Sequence, residues 1–161
     1  EEFYLIDGKI MLRGQNASGR SITTQSFIPF ILDGNRSAER LDPFGSRDRK
    51  MEYYFLENTD ADDVTGYVYL EFVKENEEGL KEYRTIGIGQ RAQRGKGMTG
   101  FWGFIILDGK RIGIDLELTK EAGNAYIPMS NKELEYALGD KNLILKSQQD
   151  YKENVNKYLF R

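Results

Sequence analysis

Gly14-Gln15-Asn16-Ala17-Ser18-Gly19-Arg20-Ser21 has the spacing of a phosphate-binding loop, G-x-x-x-x-G-K-[ST], with arginine in the lysine position. A glycine-rich turn of this kind folds several main-chain N–H groups inward. A helix starting directly behind it adds the positive end of its dipole, and the two together make an anion site. In that arrangement Asn16, Ala17, Ser18, Gly19, Arg20, Ser21 and Ile22 surround the phosphates of a nucleotide. The side chain at position 20 reaches the β- and γ-phosphates, and the Ser21 hydroxyl sits on a magnesium ion. The competing reading is a Gly/Ser turn that merely starts a helix.

Such a loop needs a strand before it and a helix after it. Lys9-Ile10-Met11-Leu12-Arg13 reads as the strand. Residues 21–32, apolar at Ile22, Phe27, Ile28, Ile31 and Leu32, read as the helix, which ends near Asp33-Gly34-Asn35. Upstream, Asp7-Gly8 between residues 3–6 and 9–13 predicts a two-residue hairpin. Residues 36–48 read as a loop, 50–56 as a short helix and 57–63 as an acidic loop.

The middle of the chain reads as β. Residues 64–74 alternate, with Val68, Leu70 and Phe72 on one face and Tyr67, Tyr69 and Glu71 on the other. A charged turn at 75–82 leads to a strand at 83–94, with Ile86 and Ile88 on one face. A glycine-rich loop is expected at 95–100. Residues 101–107 and 111–118 bracket Asp108-Gly109, a second predicted hairpin. Polar residues 119–130 follow. A capped helix starts at Asn131 and stops at Gly139, residues 143–145 form a short strand, and Ser147 caps a last helix with Tyr151, Val155, Tyr158 and Leu159 on one stripe. The expected fold class is α+β, a P-loop βα unit joined to an antiparallel sheet, in a single domain over residues 1–161.

Composition excludes several chemistries. The 161 residues, 39% of them hydrophobic, suffice for one domain with a real core. Cysteine is absent, which removes disulfides and thiol chemistry. Histidine is absent, which removes Ser-His-Asp triads, His-ligated zinc and histidine acid–base catalysis. A net charge of −3 gives no global attraction to nucleic acid, so any DNA contact must come from a local patch. No apolar run approaches the roughly 20 residues of a membrane span, and a cytoplasmic protein is expected. The strand-like opening without Met and the helical close at Phe160-Arg161 lead us to expect a piece of a longer chain.

Several stretches resemble the head of an SMC-like ATPase. They are Asp7-Gly8-Lys9, Leu12-Arg13-Gly14, Asn16-Ala17-Ser18-Gly19-Arg20-Ser21 and Thr24-Gln25-Ser26-Phe27. They continue through Leu32-Asp33-Gly34-Asn35 and Glu39-Arg40-Leu41-Asp42-Pro43-Phe44-Gly45-Ser46-Arg47-Asp48-Arg49, the most specific part. Thr65-Gly66-Tyr67, Ile86-Gly87-Ile88-Gly89, Phe101-Trp102-Gly103-Phe104 and Asp108-Gly109-Lys110-Arg111-Ile112-Gly113 extend the likeness over nearly the whole chain. The family is the MukB-like subunit of the Wadjet plasmid-defence system (JetC, EptC or MksB). The resemblance implies an ABC-type head split between the two ends of a long coiled-coil chain, of which this is the N-terminal half. It implies ATP and Mg2+ held between two heads, with hydrolysis driving DNA loop extrusion. The implied partners are the C-terminal half-head, a second SMC-like head, kleisin, accessory and nuclease subunits, and DNA. The family's loop has Lys where Arg20 stands and Gly where Ala17 stands. Weak or absent ATPase activity follows as an expectation, and the alternative is a degenerate, non-hydrolysing module acting by protein or DNA contact. A third reading is an unrelated β-rich binding domain.

Other residues are weighed beside the loop. The resemblance puts Arg47 near the nucleotide, where a guanidinium pairs with phosphate bidentately; an ion pair with Asp42 or Asp48 is the alternative. Arg91, Arg94 and Lys96 form a basic run that could touch DNA backbone, or a solvated edge. Phe104-Ile105-Ile106-Leu107-Asp108 imitates a Walker B motif, but Asp108-Gly109 reads better as a turn. Ile114-Asp115-Leu116-Glu117 reads as a strand with two solvated acids, and Trp102 with Phe101 and Phe104 as core. No catalytic residue is assigned.

Overall fold

The computed structural model describes residues 4–12, 32, 63–123 and 125–159. In chain order these form β1 (Tyr4–Leu12), β2 (Asp63–Glu75), β3 (Lys81–Gln93), β4 (Gly97–Ile106), β5 (Thr119–Ala122), β6 (Ala125–Pro128), α1 (Asn131–Leu138), β7 (Leu143–Leu145) and α2 (Gln148–Leu159). The main sheet has the order β1-β2-β3-β4-β7, every pairing antiparallel, and β5 and β6 make a separate hairpin.

β2 and β3 pair over their full length, from Asp63 opposite Gln93 to Glu75 opposite Lys81. Asn76 makes the turn between them. Its Oδ1 accepts from the main-chain N–H of Glu78 and of Leu80, both at 2.9 Å, an Asx turn. Both faces of the sheet are covered. On one, Val64, Val68, Leu70, Phe72, Ile86, Ile88 and Ile105 lie under Tyr151, Val155 and Leu159, the i, i+4, i+8 stripe of α2. On the other, Tyr67, Tyr69, Trp102, Phe104 and Ile106 lie under Leu134 and Leu138 of α1 together with Leu116 and Leu118. Large rings fit this second face because β3 carries glycine beneath them. A Cβ at Gly87 would meet the Phe104 ring, and one at Gly89 would meet Trp102 and, at 2.6 Å, Tyr67 Cε1. The Tyr67 hydroxyl donates to the Met129 carbonyl at 2.6 Å and accepts from Trp102 Nε1 at 3.2 Å. Burial pushes the phenol well above its ordinary pKa.

Both helices are capped by side chains. Ser147 Oγ accepts from Asp150 N at 3.1 Å ahead of α2. At its far end Arg84 Nη1 donates to the Tyr158 carbonyl, a cation on the negative end of the helix dipole. α1 starts with a capping box: Glu133 N donates to Ser130 Oγ and Ser130 N donates to Glu133 Oε1. Lys120 Nζ also pairs with the Glu133 carboxylate. These bonds, that of Lys120 first, hold Glu133 down at about 2 from an ordinary 4.5. A depressed carboxylate stabilises the fold above its unfolded value and loses that contribution as pH falls. Thermal melting of the wild-type chain is therefore expected to drop between pH 4.5 and 2 more steeply than that of Glu133→Gln; parallel curves would refute the assignment. The group is exposed, so added salt should shrink the difference.

Four expectations from the sequence give way. Asp7-Gly8 makes no hairpin. β1 runs straight through it, and Ile6 is taken up as an irregularity between Leu5 opposite Phe72 and Asp7 opposite Glu71. The long β2 offers a ladder for all of β1, which outweighs the local turn preference. Asp108-Gly109 makes no hairpin with a strand at 111–118 either. β7 holds the edge beside β4, and residues 111–116 fold into turns in which the Arg111 carbonyl accepts from Ile114, Asp115 and Leu116. The glycine-rich loop is shorter than expected, because β4 already starts at Gly97. The polar stretch 119–130 holds the β5–β6 hairpin, whose four-residue strands are too short to show a period. The elements expected at 21–31 and 50–56 lie outside the described residues. No helix among the described residues is long and apolar enough to cross a membrane.

Candidate functional site

Asn16, Ala17, Ser18, Gly19, Arg20, Ser21, Ile22 and Arg47 lie outside the described residues, and the elements on either side frame the site. β1 ends at Leu12, two residues before Gly14. Leu32 is helical and packs against the cluster formed by Val64, Val68, Ile88 and Tyr151. Leu32 thus lies on the α2 face of the sheet.

One row of the sheet passes this point. Leu12 stands opposite Gly66, Gly66 opposite Gln90, and Gln90 opposite Phe101. Gln90 shares the face of Ile86 and Ile88 by strand alternation. It is 1% exposed, and its Nε2 has no hydrogen-bond partner among the described residues. Periodicity could not single it out, since the same alternation that places it marks it only as a polar residue between two apolar ones.

Arg91, Arg94 and Lys96 sit at the same end of the sheet. Lys96 N donates to the Gln93 carbonyl at 3.0 Å, closing a tight turn around Gly95, whose φ of 82° suits the third position of a type II turn. The turn presents Arg94 and Lys96 to solvent. Arg91 is not an isolated cation: its guanidinium binds Asp63 through both oxygens, with Nε to Oδ1 at 2.9 Å. That bond raises the Arg91 pKa further above its ordinary value.

Asp108 is at the other end. β4 runs opposite to β1, so its C-terminal end lies about 17 Å along the strands from the row of Leu12, counting five residues from Gln90 to Thr85. A carboxylate there cannot reach a metal held just beyond Leu12. Its work is structural. Asp108 Oδ2 accepts from Asn142 Nδ2 at 3.1 Å and Oδ1 from Lys110 N at 3.1 Å. Asn142 Oδ1 in turn accepts from the main chain of Leu107 and Asp108, tying the end of β4 to the chain after α1.

A second polar cluster has no counterpart among the sequence expectations. Glu71, on the face it shares with Tyr67 and Tyr69, is only 7% exposed, because α1 and residues 111–118 cover that face. Arg111 pairs with both its oxygens, Nε to Oε2 at 2.9 Å and Nη2 to Oε1 at 2.8 Å, and its guanidinium lies 4.2 Å from the centre of the Tyr83 ring. Asp115, read as a solvated acid on a strand, instead accepts from Arg111 N at 2.9 Å. The cluster pins the turns of 111–116 to the sheet. Among the described residues no group of three or more acidic side chains could hold a metal ion. No protein-family model, no curated protein and no solved structure matches the chain.

Proposed function

We propose that the chain is the ATP-binding lobe of an SMC-like, loop-extruding DNA translocase of a plasmid-defence system, working in the cytoplasm. The observation that supports this reading most is the framing of Gly14–Ser21. A strand ends at Leu12 immediately before the motif, and the chain after it is helical at Leu32 and packed on the sheet. A strand–loop–helix unit is the context a phosphate loop needs. In the row of Leu12, the buried Nε2 of Gln90 has no hydrogen-bond partner among the described residues.

In this reading the amides of residues 16–22 hold the phosphates of ATP, Ser21 ligates Mg2+, and Arg20 and Arg47 neutralise phosphate charge. Bound ATP supplies the phosphoryl group whose transfer to water drives the motor. The described residues contribute the sheet edge strand that ends at Leu12, two residues before the motif. The C-terminal half-head, a second head, and kleisin, accessory and nuclease subunits complete the assembly. Titration of Mg·ATP into the chain joined to its C-terminal half-head should give saturable binding and ATP-dependent head dimerisation. Neither would be seen if the turn only starts a helix. Arg20 and Ala17 favour a second reading, a degenerate head that holds nucleotide without hydrolysing it. Binding and dimerisation without turnover would mark that case.

DNA contact is assigned to the turn bearing Arg94 and Lys96, with Arg91 beside it. Charge reversal at all three positions is expected to weaken DNA binding and to lower the slope of log K against log salt by about 0.9 for each phosphate that is no longer neutralised. Unchanged binding would remove the site. Asp63 already neutralises part of the Arg91 charge.

A further inference from the structure

Glu71 and Thr85 stand opposite each other on β2 and β3, and Tyr83 lies two residues before Thr85 on the same face of the sheet. The three side chains therefore border one corner of that face. Glu71 is buried and Thr85 is wholly so. A buried carboxylate persists only where a cation and hydrogen bonds satisfy it. Here one guanidinium does both. Arg111 Nε and Nη2 donate to the two Glu71 oxygens at 2.9 and 2.8 Å, and the same group lies 4.2 Å from the centre of the Tyr83 ring. A carboxylate that takes both teeth of the fork and an aromatic face that takes the cation are the two elements of guanidinium recognition. Thr85 Oγ1 has no hydrogen-bond partner among the described residues, so an acceptor next to Glu71 goes unused. Arg111 is held by its own main chain: its N–H donates to Asp115 Oδ2, and its carbonyl accepts from Ile114, Asp115 and Leu116. The strap that carries it is lightly seated. Gly113, Ile114 and Asp115 are exposed, and of residues 111–116 only Ile112 and Leu116 pack on the apolar cluster of this face.

We propose that Glu71, Tyr83 and Thr85 form a receptor for a guanidinium group, filled in cis by Arg111, which takes a free guanidinium ligand once Arg111 is withdrawn. The strap of residues 111–116 is then a self-ligand of the sheet. The receptor is independent of the nucleotide reading.

The test is Arg111→Ala in the full chain, titrated with methylguanidinium, with methylammonium as the control of equal charge. Hydrogen exchange of residues 113–116, calorimetric binding and thermal melting are measured together. Truncation should speed exchange about tenfold, the equivalent of one hydrogen bond to a charged group. Methylguanidinium should bind saturably and raise the melting temperature of the variant, whereas methylammonium should not, and the wild-type chain, its site already filled, should show no rise. Adding Glu71→Gln should abolish binding, and adding Thr85→Val should weaken it about fivefold. No saturable binding, equal binding of methylammonium, or binding that survives Glu71→Gln would overturn the proposal; undiminished binding with Thr85→Val would strike Thr85 from the receptor. Should truncation leave the chain unfolded, methylguanidinium is expected to fold it. Arg111→Lys keeps the charge and tests the fork separately. Its strap should also exchange about tenfold faster, and wild-type protection there would show that charge alone suffices and refute a guanidinium receptor.

Discussion

Gly103→Val is expected to destabilise the folded chain by about 3 kcal/mol, the upper part of the range for forcing extra methyl groups into a packed interior. A Cβ at position 103 would stand 2.8 Å from Tyr151 Cγ and 3.1 Å from its Cβ, far inside van der Waals contact. The tyrosine cannot retreat. It is fully buried, it meets the Phe101 ring edge-on at 6.5 Å, and its backbone belongs to α2, whose Val155 and Leu159 are packed on the same face. The higher strand propensity of valine returns less than about 1 kcal/mol, too little to change the sign. Urea denaturation should show a lower midpoint with an unchanged slope. Tyr151→Leu in the same chain should recover part of the loss, because the two substitutions act on one contact. A cost below about 1 kcal/mol, or strict additivity of the pair, would mean that α2 slides outward to make room, and the close seat of helix on sheet would be wrong.

If the chain is the ATP-binding lobe proposed above, Arg20→Lys in the complete assembly is expected to raise ATP turnover about a hundredfold, the penalty that a displacement of roughly 1 Å exacts on a reaction that depends on alignment. Lysine presents a compact charge on a thin stem, whereas arginine presents a wide planar fork whose donors demand two acceptors in one plane. Both neutralise phosphate. In the proposed loop, whose amides would already occupy most of the phosphate oxygens, only the first would fit, and the fork would hold nucleotide with the terminal phosphoryl group out of line. Ala17→Gly should add to the gain if position 17 needs a positive φ, which a Cβ disfavours. Turnover is read in steady state with the C-terminal half-head and DNA present. Nucleotide affinity should change much less than turnover. No rise on Arg20→Lys would remove arginine as a reason to expect weak hydrolysis.

Strong periodic signals in the sequence translated well into elements. Alternation at Val68, Leu70 and Phe72 against Tyr67 and Tyr69 placed β2 and divided its two faces correctly. Gly139 and Ser147 marked helix boundaries, and the capping residue of α1 proved to be Ser130, one position before Asn131. Dipeptide turn signals fared worse. Asp7-Gly8 and Asp108-Gly109 both carry a hairpin preference, yet strand pairing with distant residues decided both places. A preference of that kind is local, and the ladder along β2 is not. The burial of Glu71 was equally illegible, because it depends on α1 and on Arg111, 40 residues away. At the candidate site the sequence supplied the motif, while Gln90's place in the row of Leu12 emerged only from the strand register.

The order of pairing in the sheet also bears on how the molecule assembles. β2, β3 and β4 form a meander joined by tight turns, so their contacts close quickly and at low entropic expense. β1 belongs to the same sheet but reaches β2 only after the whole stretch between Leu12 and Asp63 has been spanned. It should therefore be the last strand recruited during folding and the first to detach when the native state breathes. The Gly14–Ser21 motif follows β1 in the sequence. A ligand gripping it would act as a latch on the terminal strand, and slower opening of β1 would report its arrival without any change in the meander.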